Sequence, residues 1–275
     1  MKIIDLSMPI EEAPFETFPT RIKRISHNEG ARHLGWVMAV NKRKTFWANV
    51  RGFLNYCAGR REVTQASFPD EEFISHEQVE ASVHMGTHLD SPYHFGTRSE
   101  GKPARMIADI PLEWCFSDGV VLDMRHKKPS EAITDKDIQE ALSRISYRIK
   151  AFDIVLIRTD SDKLWPSREY YYKFPGMTPE ATEFLVRQGV KIIGVDFLGF
   201  DRPYKSMFDD FHKTKNSKFL WPAHLFGRKR EYCHVERLAN LDKIPVAHGF
   251  KVICLPVNIR DVGASWVRAV AIIEG

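Results

Sequence analysis

The chain has 275 residues, a formal net charge of +4, 43% hydrophobic and 28% charged residues. That length suits one large domain able to bury its core without disulfides or structural metal, and the interspersed charge excludes a disordered or nucleic-acid-binding tail. Its four cysteines, Cys57, Cys115, Cys233 and Cys254, include no CxxC pair, which excludes a disulfide framework and a cysteine zinc site and points to a reducing compartment.

The first residues, Met1-Lys2-Ile3-Ile4-Asp5-Leu6, carry an acid where a signal peptide needs an apolar core. No apolar run is long enough to cross a bilayer. The expectation is a cytoplasmic protein with neither membrane nor nucleic-acid partner. The short basic runs Lys42-Arg43-Lys44, Arg60-Arg61 and Arg228-Lys229-Arg230 read as solvated faces.

In chain order, residues 2–7 read as a strand, followed by a proline-rich loop over 9–19. The stretch 35–73 holds seven aromatic residues, among them Trp36 and Trp47, without a clean period. It reads as an insertion covering a site or as a peripheral subdomain. A strand over 79–83 is expected to lead into a histidine segment. Further strands are expected over 119–124, 153–158, 189–196, 252–256 and 267–273. Helical spacing marks 134–145, and Thr178-Pro179-Glu180 opens a second helix, with proline in its first turn. Strands outnumber helices and interleave with them, so the class is α/β or α+β with a largely β core. No glycine-rich phosphate loop follows any strand.

The chemistry concentrates in His84-Met85-Gly86-Thr87-His88-Leu89-Asp90-Ser91-Pro92-Tyr93-His94. Gly86 and Pro92 disfavour a continuous helix. A straight strand would put His84 and Asp90 about 20 Å apart, too far for one ion with ligand bonds of about 2.0–2.2 Å. The chain must therefore bend at Gly86 and Pro92 for His84, His88 and Asp90 to share a metal. Imidazole with carboxylate suits Zn²⁺, Mn²⁺ or Fe²⁺. His94 reads as a proton shuttle beside the ligand set. Downstream, His224 and Glu236 form a weaker pair on sequence alone. His234 is an alternative ligand that the spacing disfavours. Asp196 at a strand end reads as a turn or cap. Asp201, Asp209, Asp210 and His212 read as an acidic, solvated loop, and Tyr170-Tyr171-Tyr172 as a packed loop.

The segment His-x-Gly-Thr-His-x-Asp-x-Pro-x-His resembles the signature of the cyclase family, which includes bacterial kynurenine formamidases and isatin hydrolases. The resemblance runs from Ile4-Asp5-Leu6-Ser7 through Gly194-Val195-Asp196, His224 and Glu236 to Arg268-Ala269-Val270-Ala271. It implies a swivelling β/α/β domain of the α/β class with a mixed β-barrel-like core, here one domain over residues 1–275 with an insertion at about 35–73. It implies that His84, His88 and Asp90 hold a first metal, that Asp90 bridges to a second held by His224 and Glu236, and that His94 is the catalytic histidine. Phe18-Pro19 stands where relatives place a substrate-facing Trp-Pro.

The expected activity is hydrolysis of a small aromatic amide, lactam or lactone by metal-bound hydroxide, with a divalent ion, Zn or Mn, at one or two per chain. Phe18, Trp36 and Trp47 are the expected substrate contacts, and a homodimer or homotetramer the expected assembly. A cyclase or dehydratase of polyketide-like substrates on the same metal site is the alternative, and a non-catalytic binding protein the third reading.

Overall fold

A computed structural model of the chain describes residues 1–40, 45–61 and 63–274. The basic run Lys42-Arg43-Lys44 lies outside them. The chain forms two compact units: Thr20–Ala81, and Met1–Pro19 with Ser82–Gly275. Among the described residues no helix is long and apolar enough to cross a membrane.

In the smaller unit, strands Arg21–Ile25 and His76–Glu80 pair antiparallel. Every residue of His76–Glu80 is exposed, so no buried alternation marks it. The strand expected over 79–83 therefore ends at Glu80, and turns replace it before the histidine segment. Two helices follow the first strand: α1, His27–Ala39, closed by a Ser26/Glu29 capping box, and α2, Phe46–Cys57, capped by Thr45. They approach closely at Gly52, where a Cβ would lie 1.9 Å from the Ala39 carbonyl oxygen. Trp36 packs edge-on against Phe53 and Tyr56.

The larger unit is built on a mixed nine-stranded sheet that curls into a half-barrel. Its strands are β1 (Lys2–Asp5), β2 (His88–Asp90), β3 (Phe116–Asp123), β4 (Ile154–Arg158), β5 (Ile192–Val195), β6 (Cys233–Glu236), β7 (His248–Ile253), β8 (Ala264–Trp266) and β9 (Val270–Ile273). The order across the sheet is β1-β9-β7-β3-β4-β5-β6-β2-β8. Strands β3 to β6 are parallel, and the flanking strands are antiparallel. An isolated bridge between Ser7 and Leu238 ties the end of β1 to the chain after β6.

Parallel strands buried on both faces read as unbroken apolar runs, and Ile154-Val155-Leu156-Ile157 is one. Val155 and Ile157 join a core with α4 (Asp135–Arg144) and α5 (Pro179–Arg187). Ile154 and Leu156 join the opposite core with Ile4, Leu6 and Phe250. Both helices start as the sequence indicates, α4 behind a Thr134/Asp137 capping box and α5 behind Thr178 with Pro179 at its first position. Three further helices, α3 (Pro92–Phe95), α6 (Tyr204–Thr214) and α7 (Pro222–Phe226), carry or border the histidines.

Candidate metal centre

The histidine segment bends once and then enters the sheet. Gly86 adopts φ +63, and a Cβ there would meet Ile10 and the Pro9 carbonyl oxygen at 3.1 Å. Thr87 pins the bend: its hydroxyl donates to the Arg237 carbonyl (2.5 Å) and accepts from the Met8 amide (2.7 Å). His88 and Asp90 then lie on β2, where side chains two apart share a face. Pro92 opens the single-turn helix α3, which carries His94. The Gly263 carbonyl accepts from both the Ser91 amide and hydroxyl and fixes the start of that turn.

Strand β6 supplies the next layer. In the antiparallel register His234 lies opposite Asp90, and Glu236 opposite His88. Glu236 is the last residue of parallel β6, and the loop after parallel β5 brings Gly199 and Asp201, so the centre lies at the carboxyl ends of parallel strands, a common site for chemistry in α/β sheets. The Gly199 amide donates to Glu236 Oε2 (3.1 Å). Asp201 accepts from the Ala223 and His224 amides at the start of α7, and its Oδ2 lies 2.6 Å from His224 Nδ1.

The expected ligands converge. His84 Nδ1 is 3.1 Å and His88 Nε2 3.6 Å from Asp90 Oδ1. His88 Nε2 and His224 Nε2 each lie 3.5 Å from an oxygen of Glu236. His94 Nε2 is 3.7 Å from Asp90 Oδ2. Two overlapping groups have donor atoms within 4.8 Å of one another: His84, His88 and Asp90; and Asp90, His224, His234 and Glu236. Among the described residues, His88 Nε2, Asp90 Oδ1 and Glu236 Oε1 are buried without a hydrogen-bond partner. Unpartnered buried polar atoms cost stability, and here they point at one another as a divalent ion would require. The donor set fits such an ion.

Electrostatics agree. Burial works against ionised Asp90, but His94, His88 and His84 around it hold its carboxyl well below the usual range. Burial likewise opposes ionised Glu236, and His224 and His234 outweigh it. Burial pushes His88 down and takes His94 down to about 4. At neutral pH His94 is therefore an uncharged base. His224 rises to about 10 because Asp201 and Glu236 overcome the cost of burying its charge.

The centre forms the floor of a cavity of about 1050 Å³. Phe15 and Phe18 from the proline-rich loop, Tyr171, Tyr204 and Trp221 supply aromatic wall. Arg237 makes a two-toothed pair with Glu16 (2.5 and 3.2 Å), and Tyr171 donates to the same carboxylate, which fastens the loop bearing Phe15 and Phe18. Tyr170 lies fully buried in the core, whereas Tyr171 and Tyr172 line the cavity. Trp36 and Trp47 belong to the smaller unit, where Trp47 is 76% exposed.

The structure departs from the sequence reading at several positions. Asp201 is 3% exposed and holds His224, whereas an acidic surface loop was expected; a polar loop leaves no trace in sequence of the helix start it caps. His234, which the spacing disfavours as a ligand, is fully buried within the cluster alongside His224. Asp209, Asp210 and His212 lie on α6. Asp196 is fully buried, accepts from the Thr159 and Asp160 amides, and is pushed up to about 7 by burial.

The chain is similar to known proteins in sequence and fold. The chain is 25% identical over 209 residues to the kynurenine formamidase of Bacillus cereus, covering 75% of this chain and 85% of that one. It is 25% identical over 219 residues to the isatin hydrolase of Roseibium aggregatum, covering 74% and 77%. The crystal structure of an isatin hydrolase bound to the product analogue thioisatinate superposes with a TM-score of 0.68 at 21% identity, covering all of this chain and 93% of that one; this shows a shared fold. Fold and site together define an enzyme of the hydrolase class. The Cyclase family profile, described as "Putative cyclase", matches residues 4–202, and the chain belongs to that family.

Proposed function

We propose that this enzyme is a metal-dependent hydrolase that opens the C–N bond of a small aromatic amide or lactam, or the corresponding lactone bond. The observation that carries the reading is the convergence of the donor atoms of His84, His88, Asp90, His224 and Glu236, with those of His88, Asp90 and Glu236 buried and unpartnered among the described residues, at an aromatic cavity lined by His84, Asp90, His224 and Glu236. His84, His88 and Asp90 would hold one Zn²⁺ or Mn²⁺, and Asp90 with His224 and Glu236 a second. A divalent ion in this position supplies an acidified water and polarises the scissile carbonyl.

The remaining work falls to the chain. His94, uncharged at neutral pH and one-third exposed, takes the proton of the attacking water at Nε2 and returns it to the leaving nitrogen or oxygen. Phe18 stands exposed on the cavity wall, where a flat ring of substrate can lie against it. Asp201 keeps His224 turned with Nε2 toward Glu236.

Metal analysis combined with a panel of aryl formamides, lactams and lactones tests the proposal. The expected result is metal-dependent turnover that consumes one water per product. Metal-replete protein that turns over none of the panel would overturn it, and an isomeric product formed without water would move the enzyme to ring-closing chemistry on the same site.

A further inference from the structure

We infer that His234 is a positioning residue that donates a hydrogen bond to the Asp90 carboxylate and faces that of Glu236, and is not a metal ligand. The inference rests on the proposed metal role of Asp90, His224 and Glu236.

Three histidines of the cluster are almost wholly buried, and their second ring nitrogens separate them into two kinds. His88 Nδ1 lies 3.0 Å from the Gly86 carbonyl oxygen, and His224 Nδ1 lies 2.6 Å from Asp201 Oδ2. An acceptor at Nδ1 places the proton there and leaves the Nε2 lone pair free, which is the arrangement of a ligating imidazole. His234 has no such acceptor. Its Nδ1 is buried with no partner among the described residues. The ring lies flat on Phe200, with centroids 4.4 Å apart and planes 13° apart, and Phe95 lies 4.9 Å away.

A proton on Nδ1 would be a buried donor with nothing to meet it. On Nε2 it meets an acceptor, Asp90 Oδ2 at 3.0 Å, with Glu236 Oε1 close by at 3.2 Å. The sheet sets this geometry. His234 is opposite Asp90 across the β6–β2 register and two residues before Glu236 on the same face of β6. Two buried carboxylates repel one another, and a donor that bonds one and faces the other relieves the repulsion and fixes which oxygen of Asp90 remains free. Asp90, His224 and Glu236 would then remain the protein ligands of the second ion.

Long-range ¹H–¹⁵N correlation spectra of histidine-labelled protein, metal-free and loaded with Zn²⁺, read the tautomers directly. The expected result is a proton on Nε2 of His234 in both states and on Nδ1 of His88 and His224, with the second proton of metal-free His224 lost from Nε2 on Zn²⁺ binding. A proton on Nδ1 of His234 with a zinc-shifted Nε2 overturns the inference. Failure of His88 and His224 to show zinc-shifted Nε2 atoms overturns the metal reading itself, and with it this inference.

Zn²⁺ titration calorimetry supplies an independent arm. His234→Gln keeps an N–H near the position of Nε2 but is a poor ligand, and should bind the second ion within a few-fold of wild type. His234→Leu should weaken that ion about 10–100-fold, the usual effect of removing a group that orients ligands. Equal loss in both variants, or no loss in either, refutes the positioning role.

Discussion

Strand β4 buries Ile154, Val155, Leu156 and Ile157 on alternate faces of the sheet, whereas helix α2 in the smaller unit buries none of its twelve residues. The same contrast runs through both units. In the smaller one the buried residues among those described are Thr20, Gly30, Ala31 and Gly35, while Trp36, Phe46, Trp47, Phe53 and Leu54 are exposed. The larger unit has two cores and a buried polar centre between strands. Ionisation divides in the same way. The smaller unit's shifted group among those described is Glu29, an exposed carboxylate lowered by its hydrogen bonds to Ser26, whereas the larger unit holds acids and histidines far from their ordinary values by burial and by one another. Apolar residues in the larger unit are spent on stability. Those of the smaller unit remain available for contact with a ligand or another chain.

Substitutions can break or sharpen that contrast. The largest effect is expected from Asp90→Ala, which removes the residue common to both groups of donors. Metal content measured by mass spectrometry should fall to background, and turnover with it. Retention of a full metal complement would place the ion elsewhere. His94→Ala should keep metal and fold while lowering kcat by about 10²–10⁴. Loss of metal in this variant would make His94 a ligand. Asp201→Asn leaves His224 in place but without its anionic partner, and should weaken metal binding about 10–100-fold, read by calorimetry.

A smaller, pH-dependent effect belongs to Asp196. Its folded value, about 7, is raised from an ordinary 3.8. Between those values the folded protein holds a proton that the unfolded chain has lost. The stabilising contribution is therefore full below the lower value and is lost as pH rises through the upper one. Asp196→Asn can still accept from the Thr159 and Asp160 amides and can donate to the Thr159 hydroxyl. Thermal melts at pH 5 and pH 8 should differ less for the variant than for wild type, and an unchanged difference would contradict the assignment.

The least effect on stability is expected in the smaller unit. Trp47→Ala should change it by less than about 0.5 kcal/mol, as exposed substitutions usually do. If Trp36 and Trp47 contact substrate, replacing both raises KM and leaves the state of association unchanged. A lowered state of association with unchanged KM would assign them to assembly.

The sequence made part of this legible. The spacing of His84, His88, Asp90 and His94 around Gly86 exposes the centre because all four lie on one bend, one short strand and one helical turn. The apolar run before Arg158 and the Thr134 and Thr178 caps give their elements for equally local reasons. What stayed hidden depends on contacts distant in sequence. Asp201 acts only because α7 begins above it, and His234 only because the β6 register sets it opposite Asp90. Helix α2 buries none of its residues and α1 buries the small residues Gly30, Ala31 and Gly35, so no apolar period announces them.

Strand β2 is hydrogen-bonded on both sides, to β6 through His234↔Asp90 and to β8 through Ala264↔Asp90. Its backbone cannot fray without opening two ladders at once, so the amides of His88 to Asp90 should be among the slowest in hydrogen exchange. Chelation should therefore leave the receptacle standing. In a zinc finger, metal removal unfolds the chain. Here a stripped protein should keep its circular dichroism and take up fresh ion at the speed of diffusion and ligand deprotonation, without a refolding phase.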